Sequence, residues 1–150
     1  MKNKFRCECP ITSAIDIIGD KWSLIIIKQM LIEGKKTFKD FIESEEAIAT
    51  NILSSRLKML EEFKIIIKGK LPENKKTNIY TLTVKGIALT PIIVELSIWS
   101  DNNLREFHSS LYSGEQIEII KGNKEKFIEK IIENYKKNNW LQQSTVVKNK

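Results

Sequence analysis

Two thiols, Cys7 and Cys9, stand one residue apart near the start of a 150-residue chain. A C-x-C spacing is too short to specify zinc, and His108 is the single histidine, so neither a metal nor another cofactor is expected. Arg6 and Lys4 beside the pair favour thiolate, whereas Glu8 opposes it. Two readings stay open: reduced, reactive thiols, or a packing cysteine under the first helix. A second constellation is polar. Thr50, Asn51, Ser54, Ser55 and Lys58 are short or basic, free of negative charge, and spaced for one helical face. Such side chains suit a DNA groove: asparagine can bond bidentately to adenine, serine and threonine reach base edges, and Lys58 reaches a base or a phosphate. Arg56, nearer the apolar stripe, either braces the fold or reaches phosphate. A third group, Lys75, Lys76 and Thr77, forms a basic tip suited to phosphate or the minor groove, with Lys36, Thr37 and Lys39 as weaker phosphate candidates. No glycine-rich phosphate loop, H-E-x-x-H or G-x-S-x-G pattern is present, so an enzyme is not expected.

These residues need elements to hold them. Leu53, Leu57 and Leu60 recur at i, i+4 and i+7, with Ile52, Met59 and Phe63 widening the stripe, which predicts a helix over about 50–63 capped by Thr50 or Asn51. The period then changes to two. Residues 65–69 and 79–83 read as strands, and 72–78, with Pro72, Asn74 and Asn78, reads as the turn between them. Upstream, 10–18 predicts a helix opened by Pro10 and burying Ala14, Ile17 and Ile18, and Gly19-Asp20 breaks it. A second helix follows over 21–32, with Trp22 and Ile25 in its apolar pattern, and Gly34 ends it. Residues 35–38 form a short extended approach to a third helix at 38–44. Two short helices joined by a tight loop, the second polar on one face, make a helix-turn-helix, and the hairpin adds a wing. Downstream, 84–99 predicts a long, largely apolar helix in which Pro91 marks either a kink or a nearby start, with 100–106 extending it. So apolar a helix calls for a partner, most simply a second subunit, and Trp22 and Trp99 fit core or dimer packing. Ser113-Gly114 predicts a break and 124–137 a last helix with Phe127, Ile128, Ile131, Ile132 and Tyr135 on one face. Trp140-Leu141 extend its contact, and the tail from Gln142 frays.

The net charge of +6 is unevenly spread. Residues 1–83 hold 15 Lys/Arg against 11 Asp/Glu, residues 84–120 hold 2 against 5, and residues 121–150 hold 8 against 3. The segment 64–78 alone carries five lysines against one glutamate, a footprint for phosphate when set beside a polar-faced helix. No apolar run approaches a membrane span and the N-terminus lacks the apolar core of a signal peptide, so a cytoplasmic protein with no membrane partner is expected.

The sequence resembles the HxlR-type family of bacterial transcriptional regulators, winged helix-turn-helix proteins related to the MarR type. The resemblance rests on Cys9-Pro10, Ile18-Gly19-Asp20-Lys21-Trp22, Gly34-Lys35-Lys36-Thr37-Phe38, Leu53 through Glu61, Tyr80 through Gly86, and Leu89-Thr90-Pro91 through Trp99, covering roughly residues 7–100 in order. It implies a homodimer that binds palindromic promoter DNA as repressor or activator, with the segment after the wing supplying dimer contacts. It also implies that a cysteine at the Cys9 position senses oxidants or electrophiles in some members, which makes the functional reading of the pair a thiol switch, with Cys9 reactive and Cys7 as resolving or intersubunit partner. Three departures stand out: Thr37 where arginine is expected, Ala49 where serine often precedes the reading helix, and a wing rich in lysine rather than arginine. The first two weaken a phosphate contact or a cap.

The expected fold is therefore mainly α with a small β-hairpin: a winged helix-turn-helix with flanking dimerisation helices over 1–112, and 113–150 as a C-terminal helical extension of the same domain. The expected function is a sequence-specific regulator of transcription, a homodimer on double-stranded promoter DNA responding to a small-molecule inducer or to thiol oxidation. A winged-helix protein-interaction module is the alternative. It would carry acidic or bulky apolar residues outward on the 50–63 helix, and Asn51, Ser54, Ser55 and Lys58 argue against it.

Overall fold

Proline sets where the chain first becomes regular. Pro10 occupies the first turn of α1 (Pro10–Ile18), where its missing N–H costs no helical bond, and Cys9 becomes the N-cap residue. The computed structural model describes residues 4–111 and 114–146. It divides into two units, one ending at Leu82 and one beginning at Thr83.

In the first unit, Asp20 delays α2 (Ser23–Leu31) by two residues relative to the sequence expectation. Its Oδ1 accepts from the N–H groups of Trp22 and Ser23, both at 2.9 Å, so Trp22 stands at the N-cap position and the helix starts after it. Gly34, at φ +68°, takes the left-handed conformation that turns the chain out of α2. Thr37 is extended (φ −105°, ψ 158°) and pairs with Ile79 across an isolated bridge. Thr37 then caps α3 (Phe38–Ile42). Its Oγ1 accepts from the N–H of Asp40 at 3.1 Å, while Asp40 Oδ2 accepts from the N–H groups of Thr37 and Lys36 at 2.9 and 3.0 Å. Thr37, which stands where an arginine was expected, thus serves as a helix cap. Thr37→Ala is expected to cost about 1 kcal/mol of stability, read from a urea unfolding curve, because it removes the hydroxyl half of a reciprocal capping box.

Helix α4 (Thr50–Glu62) follows the leucine stripe. Leu53, Leu57 and Leu60 are buried, each worth about 2 kcal/mol relative to exposure. The expected cap by Thr50 or Asn51 is corrected: Ala49 is the N-cap residue, no side chain closes the first turn, and Thr50 and Asn51 lie inside the helix. Strands β1 (Ile66–Lys70) and β2 (Asn78–Leu82) pair antiparallel from Ile66↔Leu82 to Lys70↔Asn78. Of the isoleucine run that enters β1, Ile65 and Ile66 are buried and Ile67 is 47% exposed. The core of this unit joins Ile26, Ile27 and Met30 of α2, Phe41 of α3, the α4 leucines, and Ile66, Ile79 and Leu82 of the hairpin.

The burial expected along α1 holds for Ile18 alone. Ile17 is half-buried and Ala14 is exposed, while Ile11 and Ile15 are 72% and 52% exposed. Ile11, Ala14, Ile15 and Ile18 share one apolar face, with Thr12, Ser13 and Asp16 opposite, and this chain covers only the Ile18 end of that face. Trp22 and Ile25 are half-buried rather than core, and the Lys21 ammonium lies 5.5 Å from the Trp22 ring centroid.

In the second unit, the single helix expected over 84–99 is two: α5 (Val84–Ile87) and α6 (Thr90–Asn103). Pro91 sits in the first turn of α6, so it marks a start rather than a kink. The expected extension ends at Asn103 instead of reaching residue 106. Helices α7 (Gly114–Gly122) and α8 (Lys124–Val146) pack against α6. Asp101 accepts from Lys121 at 2.9 Å and pairs with Arg105, and Glu95 pairs with Lys124. Gly114 opens α7, a helix the sequence reading did not anticipate, while Ser113 of the expected break lies outside the described residues. The last helix runs nine residues beyond 137, so 142–146 are helical rather than frayed. Residues 147–150 and the side chains of Trp140 and Leu141 lie outside the described residues. On α6, Ile92, Leu96 and Trp99 remain 41%, 47% and 56% exposed, a stripe at i, i+4 and i+7.

Candidate nucleic-acid interface and thiol site

Thr50, Asn51, Ser54, Ser55 and Lys58 are all exposed along α4, opposite the buried leucines. From Thr50 to Leu60 the helix carries no acidic residue. Arg56 is half-buried at the edge of this face. Its Nη2 donates to Ser55 Oγ at 3.2 Å, and its Nη1 lies 3.6 Å from Asp20 Oδ2. Burial works against ionisation of Asp20, but the Ser23 hydroxyl, the two N–H groups it caps and the Arg56 guanidinium outweigh that cost. Its carboxyl is held below the ordinary range.

The wing presents Lys75 and Lys76 exposed, and its turn is held by its own bonds. Asn74 Oδ1 accepts from the N–H of Lys76 at 3.1 Å, and Asn74 O accepts from the N–H of Thr77 at 3.1 Å. Thr77 Oγ1 accepts from Asn74 Nδ2 at 3.0 Å, so that hydroxyl is occupied in shaping the turn. Lys39 is exposed and lies 3.8 Å from Glu43, and Lys36 is half-buried with its carbonyl accepting from the N–H of Tyr80 at 2.8 Å. The structure thus brings the α4 group together on one face, with Arg56 at its edge, and keeps the wing lysines on a separate projection. Asp20, given no site role by the sequence, joins the α4 group through Arg56.

Both cysteines are free and exposed, which removes the reading of Cys9 as a packing residue. The expected cause of thiolate stabilisation is corrected. Lys4 is committed to Glu62 at 2.9 Å, and Arg6 Nε to Asp16 at 2.6 Å. The Cys9 thiol is instead held below its ordinary value by the N–H of Thr12, then the Thr12 hydroxyl and the N–H of Ile11. The sulfur closes no cap hydrogen bond, yet it faces the positive end of α1, where thiolate is favoured. Residues 4–6 fasten the cysteine segment at two places. The N–H and Nε of Arg6 donate to Asp16 on α1. The ring of Phe5 meets Phe63 edge-on at 6.3 Å, with the Lys4 ammonium 4.9 Å from the same Phe63 ring, at the end of α4. Among the described residues, no group of three or more His, Cys, Asp or Glu side chains is placed to hold a metal ion, and no helix is long and apolar enough to cross a membrane.

A helix-turn-helix whose second helix is polar outward, followed by an antiparallel hairpin, is a winged helix-turn-helix. The chain belongs to the HxlR-like helix-turn-helix family, which matches residues 17–108. Among its relatives, the HTH-type transcriptional regulator YodB of Bacillus subtilis is 39% identical over 94 residues, spanning 62% of this chain and 83% of YodB. The quinone-bound crystal structure of YodB superposes with a TM-score of 0.53 at 35% identity, covering 63% of this chain and 99% of that one. The redox regulator HypR in its oxidised form superposes at 0.56 and 31% identity, covering 63% and 97%. The protein is a transcriptional regulator of this type and not an enzyme.

Proposed function

We propose that the chain is a cytoplasmic, homodimeric, sequence-specific DNA-binding regulator whose affinity for promoter DNA falls when Cys9 is oxidised or alkylated. The observation that carries the reading is the α4 face: Thr50, Asn51, Ser54, Ser55 and Lys58 exposed together on a helix with no acid before Glu61. In this reading α4 enters the major groove and Lys75 and Lys76 grip the flanking phosphates. Lys36 and Lys39 add weaker phosphate contacts. The stripe Ile92, Leu96 and Trp99 and the apolar side of α1 at Ile11 and Ile15 are assigned to the second subunit, since apolar surface of this extent gains by leaving water. Residues 113–150 extend the same domain. Two copies then read half-sites about one helical turn apart or a multiple of it.

The thiol response follows from the fastening of residues 4–9. Oxidation of Cys9 to a disulfide with Cys7 or with a thiol of the other subunit removes two protons and two electrons, which a diazene oxidant takes up as it becomes a hydrazine. An electrophilic quinone instead adds at the thiolate sulfur and gains the proton. Either change alters the start of α1 and the segment tied to Glu62 and Phe63, and so shifts the two reading helices out of joint engagement. YodB crystallised with quinone and HypR in oxidised form support this class of signal. The test is gel-shift binding to the DNA upstream of the protein's own gene across a salt series, with and without diamide, together with sedimentation to read subunit number. Specific binding that diamide abolishes and dithiothreitol restores is expected. Specific binding indifferent to diamide would sink the thiol response and keep the regulator, and binding no tighter to this DNA than to random duplex would sink the operator assignment.

A further inference from the structure

Arg56 and Asp20 face each other across a shallow depression of about 280 Å³ lined by Asp20, Trp22, Asn51, Ile52, Ser55 and Arg56. Two of those six, Asn51 and Ser55, belong to the face assigned above to base contacts. Among the lining residues Asp20 is the one acid and Arg56 the one base. A carboxylate in this place is unexpected on electrostatic grounds, because an approaching duplex brings a row of negative charge to it. Capping does not require it: serine, threonine or asparagine would accept from the same N–H groups of Trp22 and Ser23. What aspartate adds is the charge, and that charge faces Arg56.

The ion pair is built to exchange. At 3.6 Å, with about a third of the arginine side chain and a quarter of the aspartate side chain exposed, it is screened by water and weak. A phosphate offers the guanidinium a stronger, bidentate partner. When Arg56 leaves, Asp20 keeps three donors, namely the N–H groups of Trp22 and Ser23 and the Ser23 hydroxyl, so the carboxylate is never stranded. Resting on the regulator reading, we propose that Arg56 is a DNA-phosphate contact held in reserve by Asp20, which acts as an internal stand-in for the phosphate and sets how strongly this contact counts. In the free protein Arg56 is folded back onto the α2 end and its charge is offset. On DNA it passes from carboxylate to phosphate. The freed carboxylate then takes up a cation, which cancels most of the counterion release that a phosphate contact normally brings.

The closing experiment is a double-mutant cycle of Asp20→Asn and Arg56→Gln, read by fluorescence anisotropy on operator and on random duplex over a potassium chloride series. Asparagine keeps an acceptor for both N–H groups, and a thermal melt of each variant confirms the fold. Asp20→Asn is expected to tighten binding to both duplexes, by about fivefold at low salt, and to steepen the salt dependence by about one. In the Arg56→Gln background the same change is expected to do much less, since the cation it releases is gone. Equal affinity and slope in Asp20→Asn and wild type, weaker binding by Asp20→Asn, or an equal gain in both backgrounds would each overturn the proposal. The last would mean that Asp20 acts only as general surface charge. Wild-type protein that fails to prefer operator over random duplex would overturn the regulator reading itself, and the reserve role of Arg56 with it.

Discussion

Exchanging Lys75 and Lys76 together for alanine is expected to weaken binding to operator and random duplex alike, on the order of tenfold at low salt, and to flatten the salt slope by about two. The loss is uniform across sequences because a lysine at a wing tip meets phosphate, which carries no sequence information. The fold survives the change for a visible reason. The bonds that shape the tip run through Asn74, the N–H groups of Lys76 and Thr77, and the Thr77 hydroxyl, and neither lysine side chain is among them. Anisotropy titrations at several salt concentrations separate this outcome from a folding defect, which would lower active protein without altering the slope. An unchanged slope removes the wing from the contact set.

Sequence was most informative where one physical demand dominates. The spacing of Leu53, Leu57 and Leu60 has a single helical solution, and all three are buried. Asn and Pro between two β-prone runs left little besides a hairpin. It was least informative where several elements compete for a residue. Ala14 was expected inside and Ile11 and Ile15 were not singled out; the helical period marks the apolar face of α1 but does not say whether this chain or another covers it. Helix α7 escaped notice since it is short, is bounded by Gly114 and Gly122, and lacks a marked apolar stripe. Caps failed in both directions. Ala49 precedes α4 with no side-chain bond, so position rather than chemistry ended the loop, while Thr37, read as the loss of an arginine, proved to be half of a capping box.

The grouping of the α4 candidates on one exposed face follows from the helical period and was legible from the start. The link from Arg56 to Asp20 was not, because the two residues are 36 positions apart and meet only when the turn between α1 and α2 lies against α4. The environment of Cys9 lay between these cases. Lys4 and Arg6 are neighbours of the cysteines in sequence, yet charged neighbours on a chain are free to find carboxylates, and these two do. The better signal was Cys9-Pro10 itself. A proline at the first helical position makes the residue before it the N-cap and puts Thr12 on the same turn.

That placement carries the second large prediction. Cys9→Ser is expected to abolish the diamide-driven loss of DNA binding, leaving affinity in reductant near wild type because the exposed sulfur supports no packing. The cause of its reactivity can be tested without DNA. The Cys9 pKa is lowered in the folded chain, so at any given pH more of the thiol is thiolate than in the unfolded chain, and the alkylation rate is lost only as pH falls through that lowered value. Mass-spectrometric alkylation profiles of Cys9 with iodoacetamide should therefore inflect at lower pH in native protein than in urea, where α1 is melted and the helix-end N–H groups no longer converge. Thr12→Val should move the native inflection upward but short of the urea value. It deletes the hydroxyl and keeps the Thr12 N–H, which is the larger influence. Native and urea profiles that coincide would remove the helix terminus as the cause. A Cys9→Ser protein that still releases DNA in diamide would place the reacting sulfur at Cys7, two residues nearer the Lys4–Glu62 and Phe5–Phe63 fastening.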